Sequence, residues 1–311
     1  MNKKIIVPLD GSRIAEGALP CAEEMGGRLA AEIILVGVCH SKLDQMQNMR
    51  QSYLNHTAEN VARRISETYG IPRNKISVND VMLFGKPANE IVAYTQKVDA
   101  DLVIMTTHGY SGVERIALGS VADAVVRKVH KPVLLIRAKH GKPEVSQKEI
   151  CTKVVIPLDG SKLAEAALPV VETFMGDLAS HHKVKAHLLH VLKPLPDQER
   201  LAKFEGKNLY NITDEGIHRL AQSVREHENM AHDYLSHVGN KLCMKKGVDT
   251  DFDVRTGEPA EEIIKYAEEK GANTIVMSTH GLTGIDRWAM GSVTERILRR
   301  GHAAIMLVCP F

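Results

Sequence analysis

The stretch Lys4–Pro20, KIIVPLDGSRIAEGALP, is repeated later in the chain as Lys153–Pro169, KVVIPLDGSKLAEAALP, with 11 of 17 positions identical. A second motif also occurs twice, as Thr106–Ser120, TTHGYSGVERIALGS, and as Ser278–Ser292, STHGLTGIDRWAMGS. Two motifs that recur in the same order indicate an internal duplication. We therefore predict two domains, at residues 1–140 and 151–311, joined by a linker at 141–150, with one candidate site in each.

Short apolar runs alternate with longer amphipathic stretches in both halves. This alternation is typical of a parallel sheet with helices on both faces. We predict an α/β fold of two repeated doubly wound, Rossmann-like domains, each a five-stranded parallel sheet. The predicted strands are Lys4–Pro8, Glu32–Cys39, Ser77–Leu83, Asp101–Thr106, Pro132–Ile136, Lys153–Pro157, Lys185–Val191, Asp251–Val254, Thr274–Ser278 and Ala303–Val308. The predicted helices of the first half are Ile14–Arg28, Gln45–Tyr69, Pro87–Lys97 and Val121–Val129.

The last strand of each half, Pro132–Ile136 or Ala303–Val308, is apolar and would expose a sticky sheet edge if it stood alone. We expect these two edges to face each other across an approximate two-fold axis, which makes an intramolecular pseudo-dimer; a further homodimer stays open. The second half also contains extra polar residues at Pro196–Arg219. They predict an excursion beside the second site, with a disordered surface loop as the alternative.

Composition narrows the class of protein. The 311 residues are 44% hydrophobic and 25% charged, as in an ordinary globular protein. A net charge of +2 gives no electrostatic reason to expect a nucleic acid or a membrane as partner. The five cysteines lack CxxC spacing, which disfavours a disulfide scaffold or a thiolate metal site. The N-terminal apolar run is too short for a signal peptide, so we expect a cytoplasmic protein.

A glycine-spaced loop leaves an apolar strand and ends where a helical pattern begins, once in each half. Glycine lets the backbone approach a ligand, and amides at a helix N-terminus stabilise an anion. The pattern therefore predicts a phosphate site in each half. The loop glycines and the serine after the last of them are Gly109, Gly119 and Ser120, and then Gly281, Gly291 and Ser292.

A capping box is the alternative explanation of these loops. Ser120 with Asp123 fits the S-x-x-D/E pattern, and so does Ser292 with Glu295. Such a box satisfies the helix N-terminus without any ligand. Because the loop occurs twice, each time together with the same strand-end motif, we favour the phosphate site.

The PLDGS motif places a carboxylate directly after the first strand of each half. In a doubly wound sheet, this strand end borders the crevice where ligands bind. Asp10 and Asp159 are therefore candidates to accept hydrogen bonds from ribose hydroxyls or from a magnesium-bound water. The alternative is that each aspartate caps the helix that follows it.

Together these motifs resemble the universal stress protein family in its tandem two-domain form, over nearly the whole chain. The resemblance also covers the G-x-P-A loops at Gly85–Ala88 and Gly257–Ala260. The ATP-binding members carry G-x2-G-x9-G-S/T. Here Thr106 and Ser278 replace the first glycine, and the remaining elements are intact.

The resemblance implies that each half binds an adenine nucleotide, ATP or AMP, with Mg²⁺ as a candidate companion. It implies adenine contacts from Val38 and Val191, ribose contacts from Asp10 and Asp159, and phosphate contacts from the glycine loops. The predicted nucleotide-binding residues of the first half are Pro8, Leu9, Asp10, Val38, Met105, Thr106, His108, Gly109, Arg115, Gly119, Ser120 and Val121. Those of the second half are Pro157, Leu158, Asp159, Val191, Met277, Ser278, His280, Gly281, Arg287, Gly291, Ser292 and Val293.

No catalytic residue is predicted. His108 and His280 lack a nucleophile and a carboxylate at triad spacing, so we expect them to hold the loop by hydrogen bonds. Arg115 and Arg287 lie in the loops, where they could reach a γ-phosphate or stay solvated. We expect a nucleotide-binding stress-response regulator that acts through nucleotide-dependent shape or through its choice of protein partner, with at most weak ATPase activity. A slow ATPase and a nucleotide-free dimerisation scaffold are the alternatives.

Overall fold

The computed structural model describes residues 3–40, 47–108, 118–139, 142–143, 150–179, 184–194, 214–246, 248–279 and 290–310. In the first half, strands and helices alternate along the chain. They are β1 (Lys4–Pro8), α1 (Arg13–Glu16), α2 (Leu19–Leu29), β2 (Glu32–Cys39), α3 (Gln47–Tyr69), a 3-10 turn (Arg73–Lys75), β3 (Val78–Phe84), α4 (Pro87–Lys97), β4 (Leu102–Thr106), α5 (Ser120–Lys128) and β5 (Val133–Ile136).

The second half repeats this order. A two-stranded antiparallel ribbon, β6 (Ala138–Lys139) and β7 (Lys142–Pro143), follows β5, and only β7 lies inside the predicted linker at 141–150. The elements after it are β8 (Lys153–Pro157), α6 (Lys162–Glu165), α7 (Leu168–Ala179), β9 (Lys185–Leu192), α8 (Asp214–Lys246), β10 (Asp249–Thr256), α9 (Pro259–Glu269), β11 (Thr274–Ser278), α10 (Ser292–Arg300) and β12 (Ala304–Val308).

Ten strands form one continuous sheet in the order β10-β9-β8-β11-β12-β5-β4-β1-β2-β3. All pairings inside each half are parallel, which confirms the predicted α/β architecture. In each half the first strand has the second strand on one side and the fourth on the other. This arrangement creates a topological switch point between β1 and β4, and another between β8 and β11.

The two halves join through their last strands. β5 and β12 pair antiparallel, with Leu134 opposite Met306 at the centre of the register. Both side chains are fully buried and belong to the same core cluster. The two apolar edges that were predicted to face each other therefore do so.

Helices cover both faces of the sheet because the strands are apolar on both sides. Ile5 and Val7 point to one face and pack in a cluster with residues of α2, α3, α7 and α8. Ile6 points to the other face and packs with residues of α4, α5, α9 and α10. No helix among the described residues combines the length and the apolar character needed to cross a membrane.

Three expectations differ from the structure. The helix predicted at Ile14–Arg28 is two helices, because the amide of Gly17 donates back to the carbonyl oxygen of Ile14 and ends α1. β10 is longer than its apolar core, because its charged ends also pair with β9. Part of the predicted excursion, residues 214–219, is the first turns of α8; residues 196–213 lie outside the described residues.

Candidate functional site

A cavity of about 350 Å³ lies at the carboxyl ends of β1 and β4, at the switch point of the first half. Its walls combine the end of β1, the middle of β2, the end of β4 and the start of α5. It brings together ten residues of the predicted first site: Pro8, Leu9, Asp10, Val38, Met105, Thr106, His108, Gly119, Ser120 and Val121.

The second half has the corresponding cavity, of about 380 Å³. It also lies where the first and fourth strands of the half separate, which here are β8 and β11. It brings together nine predicted residues: Pro157, Leu158, Asp159, Val191, Met277, Ser278, Gly291, Ser292 and Val293. Five predicted residues, Gly109, Arg115, His280, Gly281 and Arg287, lie outside the described residues.

A tight turn fixes each aspartate at the wall of its cavity. The amide of Ser12 donates a 2.9 Å hydrogen bond to Oδ1 of Asp10, and the hydroxyl of Ser12 caps α1 by accepting from the amide of Ala15 at 3.1 Å. Gly11, between the two, has φ of +82°, a value that favours glycine. The interpretation that Asp10 itself caps the helix is therefore wrong, since the cap is the serine.

The turn in the second half is built in the same way. Oδ1 of Asp159 accepts from the amide of Ser161 at 3.0 Å and from its hydroxyl at 2.6 Å. Ser161 is the N-cap of α6, and Gly160 has φ of +78°. In both halves, therefore, local hydrogen bonds orient the carboxylate before any ligand arrives.

The helix that closes each cavity begins without a side-chain cap. The N-cap residues of α5 and α10 are Gly119 and Gly291, and no side chain of the described residues caps either helix by a hydrogen bond. The capping-box alternative is wrong, because Asp123 pairs with Arg127 at 2.9 Å instead. Glu295 likewise pairs with Arg299 at 3.0 Å. The first-turn amides are thus left for water or for an anion.

The glycine amides themselves are already used. The amide of Gly119 donates to the carbonyl oxygen of Thr107 at 2.8 Å, and that of Gly291 donates to Thr279 at 2.9 Å. Their φ values, −66° and −59°, suit any residue, so backbone freedom does not explain these two glycines. The donors that α5 can offer to the cavity therefore start at Ser120 and Val121.

Thr106 takes part in shaping the start of the first loop. Its hydroxyl donates a 2.6 Å hydrogen bond to the carbonyl oxygen of His108. The ring Nδ1 of His108 lies 3.1 Å from the hydroxyl of Thr107. The ring of His108 is thus held against its neighbour Thr107, and its role in holding the glycine loop stays a prediction. In the second half the carbonyl oxygen of Ser278 accepts from the hydroxyl of Thr294, at 3.4 Å.

A tyrosine links the long helix of each half to the short helix after the aspartate turn. Tyr53 donates to Glu16 at 2.8 Å, and Tyr234 donates to Glu165 at 3.0 Å. Burial, and then the glutamate, raise the pKa of each tyrosine well above its usual value. Both phenols therefore stay protonated donors at neutral pH.

Several lining residues were missed by the sequence analysis. Pro87 and Ile91 of α4 line the first cavity, and Pro259 and Ile263 of α9 line the second. The proline of the G-x-P-A loop and an apolar residue one turn later were the available signal. The other missed residues are Ala15, Val36, Thr107 and Ala122 in the first half, and Ala164, Leu189, His190, Leu192, Lys193 and Thr294 in the second.

Comparisons with known proteins agree with the tandem organisation. The model of the universal stress protein family matches residues 1–137 and again residues 151–308. A universal stress protein of Methanocaldococcus jannaschii is 33% identical over 146 residues, which are 44% of this chain and 83% of that protein. A second one from the same organism is 31% identical over 163 residues, 50% of this chain and 93% of that protein.

Solved structures of related fold also span both halves. The crystal structure of a universal stress protein from Archaeoglobus fulgidus covers 98% of this chain and 96% of that chain, with a TM-score of 0.61 and 19% identity. At this identity the likeness concerns the fold alone.

Proposed function

The chain belongs to the universal stress protein family, and we propose that its two cavities bind adenine nucleotides, ATP or AMP, through backbone amides and a fixed carboxylate. One observation supports this most. In both halves, a helix N-terminus without a side-chain cap and an aspartate held by a glycine turn line the same cavity. The helix end favours an anion, and the carboxylate accepts hydrogen bonds from sugar hydroxyls.

The remaining walls suit a flat apolar base. Val36, Val38 and Met105 are apolar residues that line the first cavity. Both cavity volumes fall within the range of about 300–1,000 Å³ that is typical of small-molecule sites. In this proposal, the base lies against the strand valines, the ribose lies at Asp10 or Asp159, and the phosphates lie at the start of α5 or α10.

We propose that nucleotide occupancy, rather than turnover, is the output. The protein would act in a stress response by changing its shape or its choice of protein partner, in the cytoplasm, with no hydrolysis or very slow hydrolysis. Mg²⁺ belongs to this proposal only as a companion of the phosphates. The described residues contain no group of three or more His, Cys, Asp and Glu side chains that could hold a metal ion.

Two measurements test the proposal. The protein is purified from cells without added nucleotide and denatured, and the released small molecules are identified by mass spectrometry. Calorimetric titration of nucleotide-free protein with ATP, AMP and GTP then gives affinities and stoichiometry. We expect adenine nucleotide, up to two per chain, and weaker binding of GTP. Absence of both released nucleotide and binding heat would favour the scaffold alternative, and sustained release of phosphate from Mg-ATP would favour the ATPase.

A further inference from the structure

One difference between the two cavities lies on the second strand. His190 of β9 lines the second cavity, next to Val191. The equivalent residue of β2, next to Val38, is Gly37, which is not among the residues that line the first cavity. The repeat thus carries an imidazole in one copy and no side chain in the other.

A side chain at this position of the first half would displace two neighbouring side chains. A Cβ atom added at Gly37 would lie 2.8 Å from Cδ1 of Leu54 and 3.2 Å from Cε of Met82. Contacts under 3.0 Å force a neighbour to move. The packing of α3 and β3 against β2 therefore disfavours an imidazole at this position of the first half.

In the second half the imidazole is held in place. Its ring meets the ring of Tyr234 edge to face, with centroids 6.3 Å apart, and Tyr234 is anchored by its hydrogen bond to Glu165. Nδ1 of His190 is buried and has no hydrogen-bond partner among the described residues. Burial lowers the pKa of His190, and the nearby carboxylate of Asp159 opposes this only in part. The ring is therefore neutral at pH 7.

The burial of Nδ1 determines which tautomer of His190 has the lower free energy. A buried N–H without an acceptor costs more than a buried acceptor that is only under-used. The neutral ring therefore keeps its proton on Nε2, which makes that nitrogen a hydrogen-bond donor. A donor of this kind next to Asp159 makes a donor–acceptor pair, and the adjacent hydroxyls of a ribose match such a pair.

On the basis of the function proposed above, we propose that His190 is a specificity-determining residue: it makes the second cavity select ribonucleotides over deoxyribonucleotides more strongly than the first cavity does. At the equivalent position the first cavity offers the sugar no side chain beside the carboxylate of Asp10. The second cavity offers a carboxylate and an imidazole donor, so that losing one hydroxyl there leaves a buried polar group without a partner, which is costly.

The test compares ATP with 2′-deoxy-ATP and 3′-deoxy-ATP by calorimetry on the full chain. In the unaltered protein we expect two classes of site, one of which loses about fivefold to tenfold more affinity than the other on removal of a hydroxyl. His190→Gly copies the first half and should make the two classes equal, while ATP still binds both sites. If the glycine variant does not fold, His190→Leu takes its place. Leucine fills the space without a polar atom, and it should also make the two classes of site equal. His190→Gln, which keeps a donor, should restore part of the selectivity.

The outcomes separate this inference from the proposed function. Equal selectivity at both sites of the unaltered protein, or selectivity that survives both His190→Gly and His190→Leu, overturns the role of His190 while ATP binding stands. No binding of ATP at either site, with or without His190, overturns the nucleotide function itself and the inference with it.

Discussion

The amide of Gly119 donates a 2.8 Å hydrogen bond to the carbonyl oxygen of Thr107. This bond joins the end of the strand to the start of α5, so the glycine loop leaves and returns at a fixed point. Its equivalent, from Gly291 to Thr279, measures 2.9 Å. Because these amides are engaged, phosphate binding in our proposal depends on the next amides along each helix, and that dependence can be tested.

Ser120→Pro should weaken nucleotide binding at the first site by about tenfold to a hundredfold, since it removes an amide donor that would face a charged phosphate. Proline is well tolerated at the first position of a helix, and the residue before it, Gly119, already has the extended ψ of 154° that proline requires. Ser120→Ala is the matched control, which removes only the hydroxyl. Calorimetry should show a much larger loss for proline than for alanine. Equal losses for the proline and alanine variants would show that the phosphates do not bind this amide.

Asp10→Asn should test the ribose contact of Asp10 while keeping the turn that Asp10 forms with Ser12. Asparagine keeps an oxygen that can accept from the amide of Ser12, but it replaces the other carboxylate oxygen by an amide group. We expect about tenfold weaker ATP binding at the first site with an unchanged urea midpoint. Asp10→Ala should weaken binding and also lower stability, by about 1 kcal/mol. If Asp10→Asn bound ATP normally, the aspartate would serve the turn alone.

Leu134→Ala should destabilise the whole chain, by about 2–5 kcal/mol in urea unfolding, because the side chain is fully buried where the halves meet. Met306 lies directly opposite. The double variant Leu134→Ala/Met306→Ala should therefore cost about 0.5–3 kcal/mol less than the sum of the single variants, since both open the same space. Met49→Ala, at an exposed methionine of α3, is the control and should change little. Strict additivity would show that the two residues do not share one packed seam.

Stability should fall as the pH drops from about 7 towards 5. Burial lowers the pKa of His187 and of His190 in the folded protein. The unfolded chain therefore takes up these protons first, near pH 6.5, and acid favours unfolding; the stability is fully present above that pH. His190→Leu should flatten the dependence of the urea midpoint on pH. His56→Gln, at an exposed site on α3, should leave its slope as it was.

Elements with strong local signals were predictable from the sequence. The strands Lys4–Pro8 and Glu32–Cys39 and the helix Pro87–Lys97 have their predicted bounds, because β-branched runs and a proline at the helix start mark them. The serine at position 120 also carries a strong local signal, for a helix cap, but the N-cap in the structure is Gly119. The carbonyl oxygen of Thr107 holds Gly119 in the cap position, and local propensity contains nothing about that distant partner.

The candidate site was partly predictable for the same reason. The motif residues Asp10, Val38 and Ser120 follow from the repeat and the family resemblance, and they line one cavity. His190 was missed because it belongs to no motif that predicts a function within its own strand. Comparing the two second strands residue by residue would have exposed it, since a histidine stands there against Gly37.

The antiparallel seam has a consequence for how occupancy can be sensed. Since β5 and β12 run in opposite directions, the strands of one half end at the edge where those of the other half begin. The two mouths thus open on opposite rims of a single sheet, four strand-to-strand steps or about 19 Å apart across it. In our proposal, a partner docked on one rim would therefore contact one of the two sites and not the other. The direct path through the sheet from one site to the other crosses the buried row that contains Leu134 and Met306.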